Sequence, residues 1–243
     1  MYFKERTRDY EYASASDKLQ MNMEINDIEE MVKGLENSKF PKSGKALNFF
    51  IFKMNFINTS IIRCCEIKDY YSTCILFRSL LEHYFKYLYV YTRALRESND
   101  NVGEEYYGEL NGYEDFTYMR SMQNLSKKLT KKVSILTLDD KDNEALLKAG
   151  TNFGIKSILA FLNEGIKDDL KLPFELFFTD YCKKYYDLSS FVHGGPFAEK
   201  YMKKYSDDKE SMDKDLEYFV SESEALTSRV VQNTKMFFDI TKK

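Results

Sequence analysis

The stretch Ile75-Leu76-Phe77-Arg78-Ser79-Leu80-Leu81-Glu82-His83-Tyr84 decides the fold. Ile75, Leu76, Leu80 and Tyr84, followed by Tyr87, Leu88 and Tyr91, recur at steps of three and four residues, the period of an α-helix with a broad apolar face. The spacing predicts a helix over 69–98. A stripe this wide needs partners on more than one side, so the segment reads as the central helix of the domain. The window 70–95 is the most apolar in the chain, yet it contains Arg78, Glu82, His83, Lys86 and Arg93. That is too many ionisable groups for a lipid span, so a buried core helix is expected and no membrane.

On the N-terminal side, Leu47, Phe50, Ile51, Met54, Ile57, Ile61 and Ile62 predict a helix over 45–67. Phe40-Pro41-Lys42-Ser43-Gly44 reads as a break before it. A helix capped by Ser16 or Asp17 is expected to run to Asn37, after a mobile lead over 1–15. Residues 99–113 are polar and contain glycine, and read as a loop with at most one helical turn. Shorter helices are predicted over 116–129, 140–149 and 156–164. Pro173 suits the first position of a helix over 173–192, which Gly194-Gly195-Pro196 ends. A last helix covers 209–240. Ten glycines and three prolines in 243 residues are too few for a turn-rich sheet fold. The expectation is one all-α domain over 16–243, an antiparallel helical bundle with its core at about 45–195 and additional N- and C-terminal helices.

The chain holds 36 Lys and Arg against 39 Asp and Glu, a net charge of −3. Dedicated duplex-DNA binders usually carry a strong basic excess, which is absent here. The charge is nevertheless clustered. Residues 117–138 contain no acid, and Arg120, Lys127, Lys128, Lys131 and Lys132 make this stretch the candidate nucleic-acid-binding patch. A solvated helix or loop face is the simpler reading of the same run. Cys64, Cys65, Cys74 and Cys182 show no disulfide or CxxC spacing and read as soft core residues. With free thiols and no apolar stretch near Met1, the expected compartment is the cytoplasm. Phosphate-loop, zincin and hydrolase-elbow motifs are absent from the sequence, so neither a metal nor a cofactor is expected.

The two histidines of the chain mark the candidate site. Arg78 and Glu82, four residues apart, share a helix face and can pair. Arg78 precedes His83 by five residues, so a long side chain can reach the space before the imidazole. In the second segment, Tyr186, Ser189 and His193 fall at i, i+3 and i+7, with His193 in the last helical turn where the dipole favours a cation. Arg78, His83 and His193 are the candidate catalytic residues, supported by Glu82, Tyr186 and Ser189. Together they could hold an oxyanion or phosphate and move a proton. A structural reading uses the same residues: an Arg78–Glu82 pair fixing helix register, Tyr186 and Ser189 satisfying it, and His193 capping carbonyls. A small-ligand pocket lined by Tyr84, Tyr87, Tyr186 and Phe191 is a further reading.

Arg-x-x-x-Glu at Arg78–Glu82, followed by Tyr-x-x-Leu-Ser-x-x-x-His-Gly from Tyr185/Tyr186 through His193-Gly194, resembles a group of bacterial helical proteins linked to the HEPN superfamily and to abortive-infection proteins. Arg78 to His83 is also similar to the loose HEPN ribonuclease pattern of Arg, a short spacer and His. The likeness covers about 45–195. It implies an HEPN-like core and a metal-independent endoribonuclease without cofactor, an effector of a toxin or phage-defence system that acts on RNA. It further implies a homodimer, and in some members an antitoxin or other protein partner. Arg78 would then clamp the phosphate, and His83 or His193 would carry the proton. The polar residue that usually follows the Arg is Ser79 here. Non-catalytic HEPN-like proteins are also known, so a non-enzymatic binding or sensor module, taking a partner protein or a small anion, is the alternative.

Overall fold

The computed structural model describes residues 29–30, 33–35, 37–130, 144–169 and 174–243. Its elements in chain order are α1 (Pro41–Glu66), α2 (Tyr70–Glu97), α3 (Asn101–Glu105), a π-helical turn (Tyr106–Leu110), α4 (Asn111–Thr130), α5 (Glu144–Asn152), α6 (Ile155–Asp169), α7 (Phe174–Val192), α8 (Pro196–Asp207) and α9 (Lys209–Ile240). Among the described residues the only β pairing is an isolated bridge between Ser38 and Lys242. The fold is therefore an all-α helical bundle. Most of the expected helix before Asn37, and the whole expected lead, lie outside the described residues.

α2 is the central helix. Asp69 caps it by accepting from the Ser72 amide at 3.0 Å, and Ser98 ends it in the left-handed conformation. α1 meets it antiparallel across a three-residue turn. α7 is also antiparallel: Tyr71 donates to the Phe191 carbonyl at 2.8 Å, while Tyr84 lies edge-on to Tyr181 further along α2. α9 is antiparallel to α1 and runs in the direction of α2. Phe77 packs on Phe219 at 4.8 Å, and ten residues later the buried Tyr87 hydroxyl donates to the Val230 carbonyl at 3.2 Å. α9 is part of the core, burying Phe219, Leu226, Val230, Phe237 and Phe238. α6 closes the C-terminal half of α2, where Tyr89 meets Phe153 and Phe161 edge-on at 5.2 and 5.1 Å.

Three local readings are corrected by the structure. Pro41 starts α1 and does not break it; proline fits the first helical turn, where no amide partner is lost. Residues 101–110 are helical throughout, where a loop with at most one helical turn is expected. They are held down by Arg93, which pairs with Glu97 at 2.6 Å and with Glu105, while Asn152 donates to Glu105 at 2.7 Å. Pro196 likewise opens α8, a helix the sequence reading lacked. Gly194 does take the left-handed conformation (φ 60°) expected after α7.

The N-terminus of α1 is capped from a distance. Asp100 accepts the Lys42 and Ser43 amides at 2.8 and 2.7 Å, satisfying two donors that the first helical turn leaves open. Asp100→Ala is expected to cost about 1 kcal/mol. A calorimetric melt should show this as a fall of about 2–4 °C. An unchanged melting temperature would mean that water replaces the cap without loss.

Candidate functional site

Two polar groups emerge from α2, one at its seam with α7 and one at its seam with α1. The first lies at the seam with α7. Arg78 donates through Nη1 to Glu82 at 2.5 Å and through Nη2 to the Tyr185 hydroxyl at 2.7 Å, with its guanidinium 4.7 Å from the Tyr185 ring centre. Lys86 donates to the other Glu82 oxygen at 2.9 Å. The four-residue steps from Arg78 to Glu82 to Lys86 make this ladder possible. Burial alone would push the Glu82 carboxyl up; Lys86 and Arg78 outweigh it and hold the group below the usual carboxylate range. Arg78 and Glu82 are each 23% exposed, and Arg78 Nε is buried with no acceptor.

The second lies at the seam with α1. His83 stands about 140° around α2 from Arg78 and packs edge-on against Phe50 at 6.3 Å. Its Nδ1 is 2.8 Å from the Ser79 carbonyl. A carbonyl only accepts, so Nδ1 carries the proton and the lone pair of the neutral ring is on Nε2. Among the described residues Nε2 has no hydrogen-bond partner, and it is not among the buried atoms without one. Burial lowers the His83 pKa, and the ammonium groups of Lys53 and Lys86 lower it further, against the Ser79 bond and Glu82. The imidazole is therefore neutral at pH 7, with Nε2 as its basic nitrogen.

Lys53 of α1 completes the group. Its Nζ lies 4.6 Å from the Phe49 ring centre and 5.9 Å from that of Phe50. Among the described residues no carboxylate comes within ion-pair distance of it. Burial and Lys86 lower its pKa, while Glu114, at the start of α4, pulls it up. Arg78 and Lys86 thus flank the Glu82 carboxylate, and Lys86 and Lys53 act on the neutral histidine. This arrangement can take an anion and can accept a proton.

The remaining candidates are placed as follows. Tyr186 is 51% exposed, and Tyr185, one position earlier, is the tyrosine that meets Arg78. Ser189 donates within its own helix, to the Tyr185 carbonyl at 2.8 Å. His193 follows the end of α7 and is exposed. It lies eight residues past Tyr185, about 12 Å along the axis, near Tyr71 and not near the Arg78 guanidinium. Arg120 is exposed on α4, 5.9 Å from the Phe116 ring centre. Lys127 and Lys128 are in the last turns of α4, and Lys131 and Lys132 lie outside the described residues.

The proposed aromatic pocket does not form. Tyr87 bonds to α9 in the core, whereas Tyr186 faces solvent. Cys74 is buried, its thiol pushed up to about 12 by burial, as suits a core residue. Among the described residues no three His, Cys, Asp or Glu side chains gather as a metal site, and no single helix is long and apolar enough to cross a membrane.

The sequence reading missed Lys53. The signal was present: from Pro41 to Cys65, α1 has four cations, Lys42, Lys45, Lys53 and Arg63, and no acid. The strong apolar period of this segment masked the cations interleaved with it. No protein-family model, curated protein or solved structure matches the chain.

Proposed function

We propose that this chain is a metal-independent ribonuclease, with His83 as its base and Lys53 and Lys86 as its phosphate-binding groups. The observation that carries this reading is the Ser79–His83 hydrogen bond, which leaves the lone pair on Nε2 of a ring that Lys53 and Lys86 both act on. In the reaction, Nε2 takes the proton of a ribose 2′-hydroxyl. The 2′-oxygen attacks phosphorus, the bond to the 5′-oxygen breaks, and a 2′,3′-cyclic phosphate forms. The leaving oxygen takes a proton from water, and the hydroxide so formed recovers the proton from His83. The lysines offset the charge gathering on the phosphoryl oxygens. The likeness of Arg78 to His83 to the HEPN pattern supports the same chemistry, and with it a role as a toxin or phage-defence effector.

In this reading Arg78 is a positioning residue. It is engaged by Glu82 and Tyr185, and through Glu82 it fixes Lys86. The test is cleavage of end-labelled single-stranded RNA in EDTA by the wild-type chain and by His83→Asn. Cleavage by the wild type that leaves cyclic phosphate ends, and its loss in the variant, is the expected result. Equal cleavage by both, or none by the wild type, contradicts it.

The engagement of both Arg78 Nη groups by Glu82 and Tyr185 favours a second reading, a non-enzymatic binding module in which the cluster is structural. Both readings expect Arg78→Ala to cost about 1.5–3 kcal/mol, because it removes charged hydrogen bonds from a half-buried carboxylate and a tyrosine. Thermal unfolding measures this, and a cost under 0.5 kcal/mol would rule out the structural part. The two readings separate on turnover alone.

A further inference from the structure

The outer face of α1 carries aromatic side chains where a soluble helix usually presents polar ones. Phe49 is 48% exposed and Phe56 is 67% exposed. They are seven residues apart with Lys53 between them, so the three share one face over about 10 Å of helix. Lys53 Nζ lies against one side of the Phe49 ring. One turn earlier, the exposed Lys45 rests over the Tyr107 ring at 4.9 Å. The face thus alternates cation and aromatic from Lys45 to Phe56, and it adjoins His83 through Phe50.

Resting on the ribonuclease reading, we propose that this face is a stacking platform for unpaired bases and that the substrate class is single-stranded RNA. Aromatic rings hold splayed bases by stacking, and interleaved cations follow the phosphates. A paired strand keeps its bases inside the duplex and cannot offer them to Phe49 and Phe56. An apolar protein partner fits less well, because it would cover Lys45 and Lys53, which belong to a helix without an acid from Pro41 to Cys65. Stacking uses the base and not the ribose, so the platform binds strands that the base His83 cannot cut.

The experiment measures binding of the wild-type chain to a short 2′-O-methyl oligonucleotide, which lacks the attacking hydroxyl. The oligonucleotide is offered single-stranded and paired with its complement, to the wild type and to Phe49→Ala, Phe56→Ala and Lys53→Ala. Each phenylalanine variant should bind the single strand about 5- to 100-fold more weakly, with the same salt dependence. Lys53→Ala should lower the slope of log affinity against log salt by about 0.7. The duplex should bind more weakly than the single strand and ignore the phenylalanine changes.

Equal affinity for duplex and single strand, or phenylalanine variants that bind like the wild type, overturns the platform. So does a phenylalanine variant that changes only the sedimentation of the chain, since the face is then a protein interface. Strand binding that depends on Phe49 and Phe56 without any cleavage of ordinary RNA keeps the platform and refutes the nuclease. Cleavage that ignores both phenylalanines does the reverse.

Discussion

His83→Asn should lower kcat/KM for RNA cleavage by about 100- to 10,000-fold, the range for loss of a positioned base. Asparagine is chosen because its amide nitrogen can still donate to the Ser79 carbonyl, as Nδ1 does at 2.8 Å. The change therefore removes Nε2 and keeps the anchoring bond. The wild-type pH profile should rise to a plateau with a midpoint below about 6.5, the ordinary histidine value, because burial, Lys53 and Lys86 lower the His83 pKa. The groups facing the ring are Lys53 from α1, with Glu114 beyond it, and Glu82 and Lys86 from α2. Stability follows the same sign. The folded chain holds its proton less tightly than the unfolded one, so the His83 contribution is complete above about pH 6.5 and is lost as pH falls through the lowered value. A rising limb at or above the ordinary value would place another group in the role.

The largest stability effect is expected far from the site, at Gly103. This residue brings α3 against the start of α1, and a Cβ there would lie 2.2 Å from the Ser43 amide nitrogen and 2.5 Å from the Lys42 carbonyl carbon. Backbone atoms cannot rotate away as a side chain can. Gly103→Ala should therefore cost about 3 kcal/mol, the upper end for overpacking, and lower the melting temperature by on the order of 10 °C. The cost includes the Asp100 cap, which is three residues away and needs the same approach of the two helices. Gly108→Ala is the control: nothing lies within 4 Å of its added Cβ, so it should be neutral or stabilising by about 0.5 kcal/mol. Similar melting temperatures for the two variants would refute the close approach.

The bundle was legible because its signals are local and repeated. The apolar period of 69–98 marked the central helix, and the glycines after α7 marked its end. What escaped depends on geometry that sequence spacing does not carry. Proline was read as a stop at Pro41 and Pro196, where it is a start, because its effect depends on which side of the helix boundary it occupies. The glycines of 99–113 suggested a loop, but Gly103 is required by a helix crossing that only the assembled fold reveals. At the site, the pairing of the central helix with α7 was expected, but the tyrosine that meets Arg78 is Tyr185, which the motif includes, and not the supporting candidate Tyr186. One residue is 100° around a helix, and the period of apolar residues does not fix rotation that finely. Lys53 went unseen because it belongs to a helix otherwise read as core.

The measurement that tests the account most directly is the nitrogen NMR of the imidazole rings. The chain has two histidines, so a His193→Asn sample assigns His83. The expected result is a neutral ring protonated at Nδ1, a midpoint below the ordinary histidine value, and a shift of the Nε2 resonance when a 3′-mononucleotide is added. A proton on Nε2 at neutral pH, or a midpoint above the ordinary value, would contradict it.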